Sequence, residues 1–141
     1  MEHFDLKQVI GEIEKIKAED ERKRHILVVD DDVRTLRFLK AYLRDYEVAT
    51  AVNGSQAMKF LETKKTDLIL LDYKMPVENG PEVLKKLRAN ERTKDIPVVF
   101  LTGMTEKRKI QEVLLMKPQG YLLKPINIEK LYKVITDVLG E

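Results

Sequence analysis

Four short apolar runs in this chain end on residues that can handle a charged group. Ile26-Leu27-Val28-Val29 leads into Asp30-Asp31-Asp32, and Leu68-Ile69-Leu70-Leu71 into Asp72. Val98-Val99-Phe100-Leu101 leads into Thr102-Gly103, and Gly120-Tyr121-Leu122-Leu123 into Lys124-Pro125. If Asp30, Asp31 and Asp72 meet, like charges within a few ångströms either raise a carboxyl pKa or demand a cation. Oxygen donors without His or Cys suit a hard ion, Mg²⁺ rather than Zn²⁺. Lys124 adds an ammonium and Thr102 a hydroxyl. Carboxylate, divalent cation, ammonium and hydroxyl together match the needs of a transferring phosphoryl group. An aspartate can itself be the nucleophile and form an acyl phosphate.

Other chemistries find little support. Neither G-x-x-x-x-G-K-[ST] nor a G-x-G-x-x-G after the first strand occurs, which disfavours nucleotide binding through those loops. Cysteine is absent, so disulfides, thiolate metal sites and Cys nucleophiles are excluded. Ser55 is the only serine, and His3 and His25 precede the strand ends without a nucleophile to activate. The Lys64-Lys65 and Lys85-Lys86 pairs and Lys107-Arg108-Lys109 read as solvated helix faces, and direct nucleic-acid binding is not expected.

The elements that must position these residues follow from periodicity. The continuous apolar runs fit strands buried on both faces. Between them lie helical spacings: Val33, Leu36, Leu39 and Leu43; Ala57, Phe60 and Leu61; Val83, Leu84 and Leu87 behind Pro81; Ile110, Val113 and Leu114 behind a Thr105 cap; and Ile128, Leu131, Tyr132, Ile135 and Val138. With a weaker strand over 47–52, the pattern is strand then helix, five times. That implies an α/β fold, a doubly wound parallel sheet with helices on both faces. Sites in such sheets lie at the carboxyl ends of the strands, where the polar residues cluster. One acid has a plainer role available, since Asp32 can cap the following helix.

Residues 1–23 differ from the rest. Leu6, Val9, Ile13 and Ile16 repeat at three- and four-residue steps with Ile10 beside them, a helix face and also an a/d heptad stripe. Packing on the chain's own domain and pairing with a second copy are equally open readings. The chain's 141 residues suit one ordinary domain over 24–141, and 26 basic against 24 acidic residues give a net charge of only +2. No apolar run approaches a membrane span, and the N-terminus has no signal-like core, so a cytoplasmic protein is expected.

The four strand-end segments, in this order, make residues 24–140 resemble the response-regulator receiver domains of two-component signalling, of the chemotaxis-regulator type. The resemblance implies a flavodoxin-like sheet of order 2-1-3-4-5 and a cis Lys124-Pro125 bond. It implies that Asp72 is the phospho-acceptor, that Asp31, Asp72 and the backbone carbonyl of Lys74 hold Mg²⁺, and that Asp30 acts largely through water. Thr102 and Lys124 would contact phosphoryl oxygens, Gly103 would leave room for the group, and Lys74 and Met104 would tune its lifetime. Thr102 and Tyr121 would form the switch, remodelling the face of the fourth helix, fifth strand and fifth helix of the domain. The implied partners are a sensor histidine kinase or phosphotransfer protein and a downstream protein target. The chain would be a stoichiometric acceptor that assists its own phosphorylation and dephosphorylation, not a turnover enzyme. Leu114-Leu115-Met116 departs from the usual pattern. Three adjacent bulky apolar groups cannot all face one core, which leaves partly exposed residues or a partner or self-association surface. Two alternatives are carried. One is a receiver segment of a larger regulator with a DNA-binding or enzymatic output, although the close of the last helix at Glu141 favours a single-domain receiver. The other is an Mg²⁺-dependent Asp-nucleophile phosphatase, disfavoured because Lys74 stands where that class needs a second Asp.

Overall fold

A computed structural model describes residues 5–103 and 107–141, leaving out the side chains at 17, 19–22 and 107–110. The elements run α1 (Leu6–Arg22), β1 (His25–Val29), α2 (Val33–Tyr42), β2 (Glu47–Ala51), α3 (Gly54–Leu61), β3 (Leu68–Asp72), α4 (Gly80–Ala89), β4 (Val98–Thr102), α5 (Lys107–Leu115), β5 (Gly120–Leu123) and α6 (Ile128–Leu139). The strands form one parallel sheet in the order β2-β1-β3-β4-β5. The order reverses between β1 and β3, so the crevice beyond their carboxyl ends is the switch point of the sheet.

Alternation along the strands divides the core in two. Leu27, Val29, Ile69, Leu71, Val98 and Phe100 face α3, α4 and Val113 of α5. Ile26, Val28, Leu68, Leu70, Val99 and Leu101 face α2 and α6. Every residue of β3 and β4 is buried, as expected of central strands covered on both faces. Each fully buried Leu, Ile or Phe contributes about 1.5–3 kcal/mol of transfer free energy.

Side-chain caps begin four helices of the domain. Asp32, Asn53, Asn79 and Asn127 accept hydrogen bonds from backbone N–H groups at the starts of α2, α3, α4 and α6. Gly140 closes α6 at φ 75°, the left-handed conformation that glycine adopts without a Cβ clash.

Val33 and Leu114 continue the apolar spacing of their helices, yet both are exposed. Of the three bulky residues after Val113, Leu114 and Leu115 face outward while Met116 packs against the core. His3, Met104 and the Thr105 cap lie outside the described residues, as does the Ile110 side chain. Among the described residues no helix is long and apolar enough to cross a membrane.

Candidate functional site

The sheet carries its polar residues out on neighbouring strands and holds their backbones in the ladder. The Asp30 N–H donates to Ala51 O at 3.0 Å, Tyr73 N–H to Leu101 O at 2.9 Å, and Lys124 N–H to Thr102 O at 2.7 Å. Strand hydrogen bonding therefore continues one residue past the ends of β1, β3 and β5, and the side chains there inherit the rigidity of the sheet. Parity sets their direction. Asp30 follows Val28, Asp72 follows Leu70 and Lys124 follows Leu122, all residues on the α2/α6 side, so the three point the same way. Thr102 follows Phe100 on the opposite side, which also holds Tyr121.

The Lys124 ammonium bridges the two buried acids. Its Nζ lies 2.8 Å from Asp30 Oδ2 and 3.1 Å from Asp72 Oδ1. Asp31 is exposed, and one oxygen each from Asp30, Asp31 and Asp72 lie within 4.8 Å of one another. The second oxygen of Asp30 accepts from the Asp32 N–H at 2.8 Å. Asp32 is engaged locally instead: its carboxylate pairs with the Arg34 guanidinium at 3.1 Å and accepts from the Arg34 backbone at 2.9 Å, which lowers its pKa. Its plainer role as a cap is the one observed.

One ammonium does not balance this group. Burial, and then the neighbouring Asp30 charge, push Asp72 up to about 7 despite the opposing pull of Lys124. Lys124 moves the other way from a buried lysine. Burial alone would lower it, but its hydrogen bond to Asp30 and the charges of Asp72 and Asp30 raise it. A negatively biased, all-oxygen pocket open on the Asp31 side fits a hard divalent cation.

The remaining expected residues fall around this cluster. Thr102 is buried at the end of β4, one residue beyond the Leu101 that pairs with Asp72. Tyr121 is half-buried opposite Phe100 and packs against the α3/α4 core. The Lys74 side chain is exposed on the loop after β3. Among the described residues, a Cβ on Gly103 would meet nothing within 4 Å. The Lys124-Pro125 bond is cis.

The loop after Asp72 holds residues that spacing did not single out. Gly80 donates its N–H to Tyr73 O at 2.7 Å, and a Cβ there would come 2.5 Å from Asp72 O. Only glycine lets α4 start this close to the strand end; the sequence pattern places Pro81 at the helix start but does not single out Gly80. Glu78, mostly buried, pairs with Lys86 of α4 and covers Gly54 at the start of α3. Val77, at the tip, is fully exposed with φ 69°, a left-handed conformation unusual for a β-branched residue.

Comparison with known proteins agrees with this arrangement. The model of the response regulator receiver domain matches residues 26–136. The Pseudomonas aeruginosa chemotaxis protein CheY is 33% identical over 122 residues, covering 82% of this chain and 98% of that protein. Among solved structures, Vibrio cholerae chemotaxis protein CheY4 superposes with a TM-score of 0.77 at 34% identity, covering 83% of this chain and 99% of that one. The receiver domain of a Pseudomonas aeruginosa sensor histidine kinase, with a magnesium ion coordinated in its active-site cleft, gives a TM-score of 0.76 at 27% identity, covering 84% and 99%. Other relatives are longer: the chain spans 30% of a probable cyclic di-GMP phosphodiesterase of Vibrio cholerae, to which it is 33% identical over 92% of its own length. Sheet order, strand-end acids, the bridging lysine and these matches lead to one assignment: the chain belongs to the response-regulator receiver family of two-component signalling.

Proposed function

We propose that this receiver accepts a phosphoryl group on Asp72 from a phosphohistidine of a sensor kinase or phosphotransfer protein. The observation that carries this reading is the Asp72 carboxylate, held beside Lys124 at 3.1 Å within a cluster of three acids. An Asp72 oxygen attacks phosphorus in line, the P–N bond breaks, and its electron pair stays on the departing imidazole. Lys124 turns from its carboxylate partners toward a phosphoryl oxygen, and the Thr102 hydroxyl donates to another. Asp31, Asp72 and the Lys74 carbonyl would hold Mg²⁺, with Asp30 acting through water; bound there, the ion neutralises charge developing on the phosphoryl oxygens. The product is one acyl phosphate per chain, so the protein acts as a stoichiometric acceptor and not a turnover enzyme.

A groove beside Lys124 supports this reading of the donor. Asp32, Arg34, Thr35, Phe38, Pro125 and Ile126 line a shallow groove of about 440 Å³ that reaches Lys124. It combines an apolar floor with a cation beside the acceptor, which suits a helix carrying a phosphohistidine. On the other side, movement of Thr102 toward the phosphoryl group frees space for Tyr121. The face of α5, β5 and α6, with Leu114, Leu115 and Leu123 exposed, is then remodelled for a downstream protein. Residues 24–141 would carry this activity, and residues 1–23 lie outside it.

Incubation with acetyl phosphate and Mg²⁺ should label the wild-type chain with one phosphoryl group and leave Asp72→Asn unlabelled, read by intact mass. Equal labelling of the variant would refute the acceptor assignment. A second reading, a receiver segment within a larger regulator, rests on the length of relatives such as the phosphodiesterase. The complete reading frame decides it.

A further inference from the structure

We propose that this chain forms a parallel homodimer through α1, a short two-stranded coil that leaves the acidic pocket open. The inference is independent of phosphoryl transfer, and either can fail without the other.

Within the described residues, α1 contributes nothing to either core cluster. Its apolar stripe is largely uncovered: Leu6, Ile10, Ile13 and Ile16 are 61%, 47%, 48% and 57% exposed, and Val9 is half-buried. A helix of 17 residues with Gly11 near its middle is marginal in water, since isolated helices near that length barely persist and an interior glycine costs about 1 kcal/mol. The helix therefore needs cover that its own domain does not supply.

A second copy supplies it. Leu6, Val9, Ile13 and Ile16 occupy successive a and d positions, so two identical helices present matching seams. The flanking sequence favours the parallel orientation. Glu12 falls at g and Lys17 at the next e, five residues on. Parallel coils set g of one copy against that e of the other, opposite charges here, whereas antiparallel coils set g against g and e against e. Four half-exposed large apolar side chains offer roughly 400 Å² per copy, or about 800 Å² in a pair, below the ~1,200 Å² of ordinary stable complexes. The dimer is therefore weak and concentration-dependent.

The topology keeps the pocket free. α1 ends at Arg22 and β1 starts at His25, so the coil joins the sheet at the amino edge of β1. Asp30 and Asp72 lie at the opposite edge, about 16 Å away along a five-residue strand.

The absence of cysteine makes the test clean. Multi-angle light scattering of the full chain should show the mass rising from 16.4 kDa toward twice that value as concentration increases. Ile13→Asp should stay monomeric with an unchanged thermal melt, because the domain core is untouched. Ile16→Cys, treated with copper-phenanthroline as oxidant, should cross-link to itself, since a parallel coil sets equivalent d positions face to face. A wild-type chain that stays monomeric at hundreds of micromolar, a dimer that survives Ile13→Asp, or a dimer in which Ile16→Cys fails to cross-link would each overturn the proposal.

Discussion

The centre of the receiver sheet and its β5 edge are built differently. Around β3, everything is closed: the strand is buried along its whole length, and α4 beside it buries Val83, Leu84 and Leu87 completely. Around β5, the strand is half-buried and ends in exposed Leu123, while among the described side chains of α5 Val113 is buried and Leu115 is 80% exposed. The buried carboxylates sit where the packing is closed, and apolar surface is left open around β5. On the proposed reading, the closed region fixes the carboxylates and the open one is the part that would rearrange, where a population shift of a few kcal/mol would suffice.

Substitutions can break or sharpen this contrast. The largest effect is expected in the closed half: Leu71→Ala should cost about 3 kcal/mol, through lost transfer free energy and a cavity that dense packing cannot collapse, read by urea unfolding. Next comes Lys124→Met, which leaves the buried Asp30 and Asp72 without their bridging cation. About 2 kcal/mol is expected at neutral pH, the usual cost of orphaning a buried pair reduced because Lys124 keeps partial access to water. Labelling by acetyl phosphate should fall with it. The charge crowding also has a pH signature. A carboxyl raised to about 7 when folded and near 3.8 when unfolded binds more protons in the folded state between those values. In buffer with chelator, its contribution to stability is therefore fully present below pH 4 and is lost as pH rises toward about 7. Asp72→Asn should remove that slope and melt above wild type at pH 8, and a melt below wild type there would contradict the crowding. The smallest change belongs to the loose half: Leu115→Ala should shift stability by less than about 0.5 kcal/mol, the norm for an exposed site. The same variant should still weaken binding of a downstream protein to the phosphorylated chain, measured by titration calorimetry.

Much of this architecture was legible in the residue order. Unbroken apolar runs at Ile26, Leu68 and Val98 marked central strands, because only strands covered on both faces lack polar alternation. The meeting of Asp30, Asp72 and Lys124 followed from strand ends sharing one edge, although the strand order itself came from family resemblance and not from spacing. Contacts that depend on how far a neighbouring element extends were not legible. Periodicity placed Val33 and Leu114 on apolar stripes, but it is silent on whether anything covers the stripe's edge. Asp32 was readable as a cap because that bond is local. The Glu78–Lys86 pair and the fit of Gly80 against the Asp72 carbonyl were not, because both arise from the path of a loop that returns to its own strand.

That loop has a further consequence at Val77. A branched side chain at φ 69° sits in a basin that L-residues other than Gly, Asn and Asp seldom enter, at a cost of order 1–3 kcal/mol. The chain tolerates it because Gly80 and Glu78 anchor the segment just downstream of Val77. The turn beside Asp72 thus keeps its strained conformation through contacts made at the start of α4 rather than through anything Val77 itself touches.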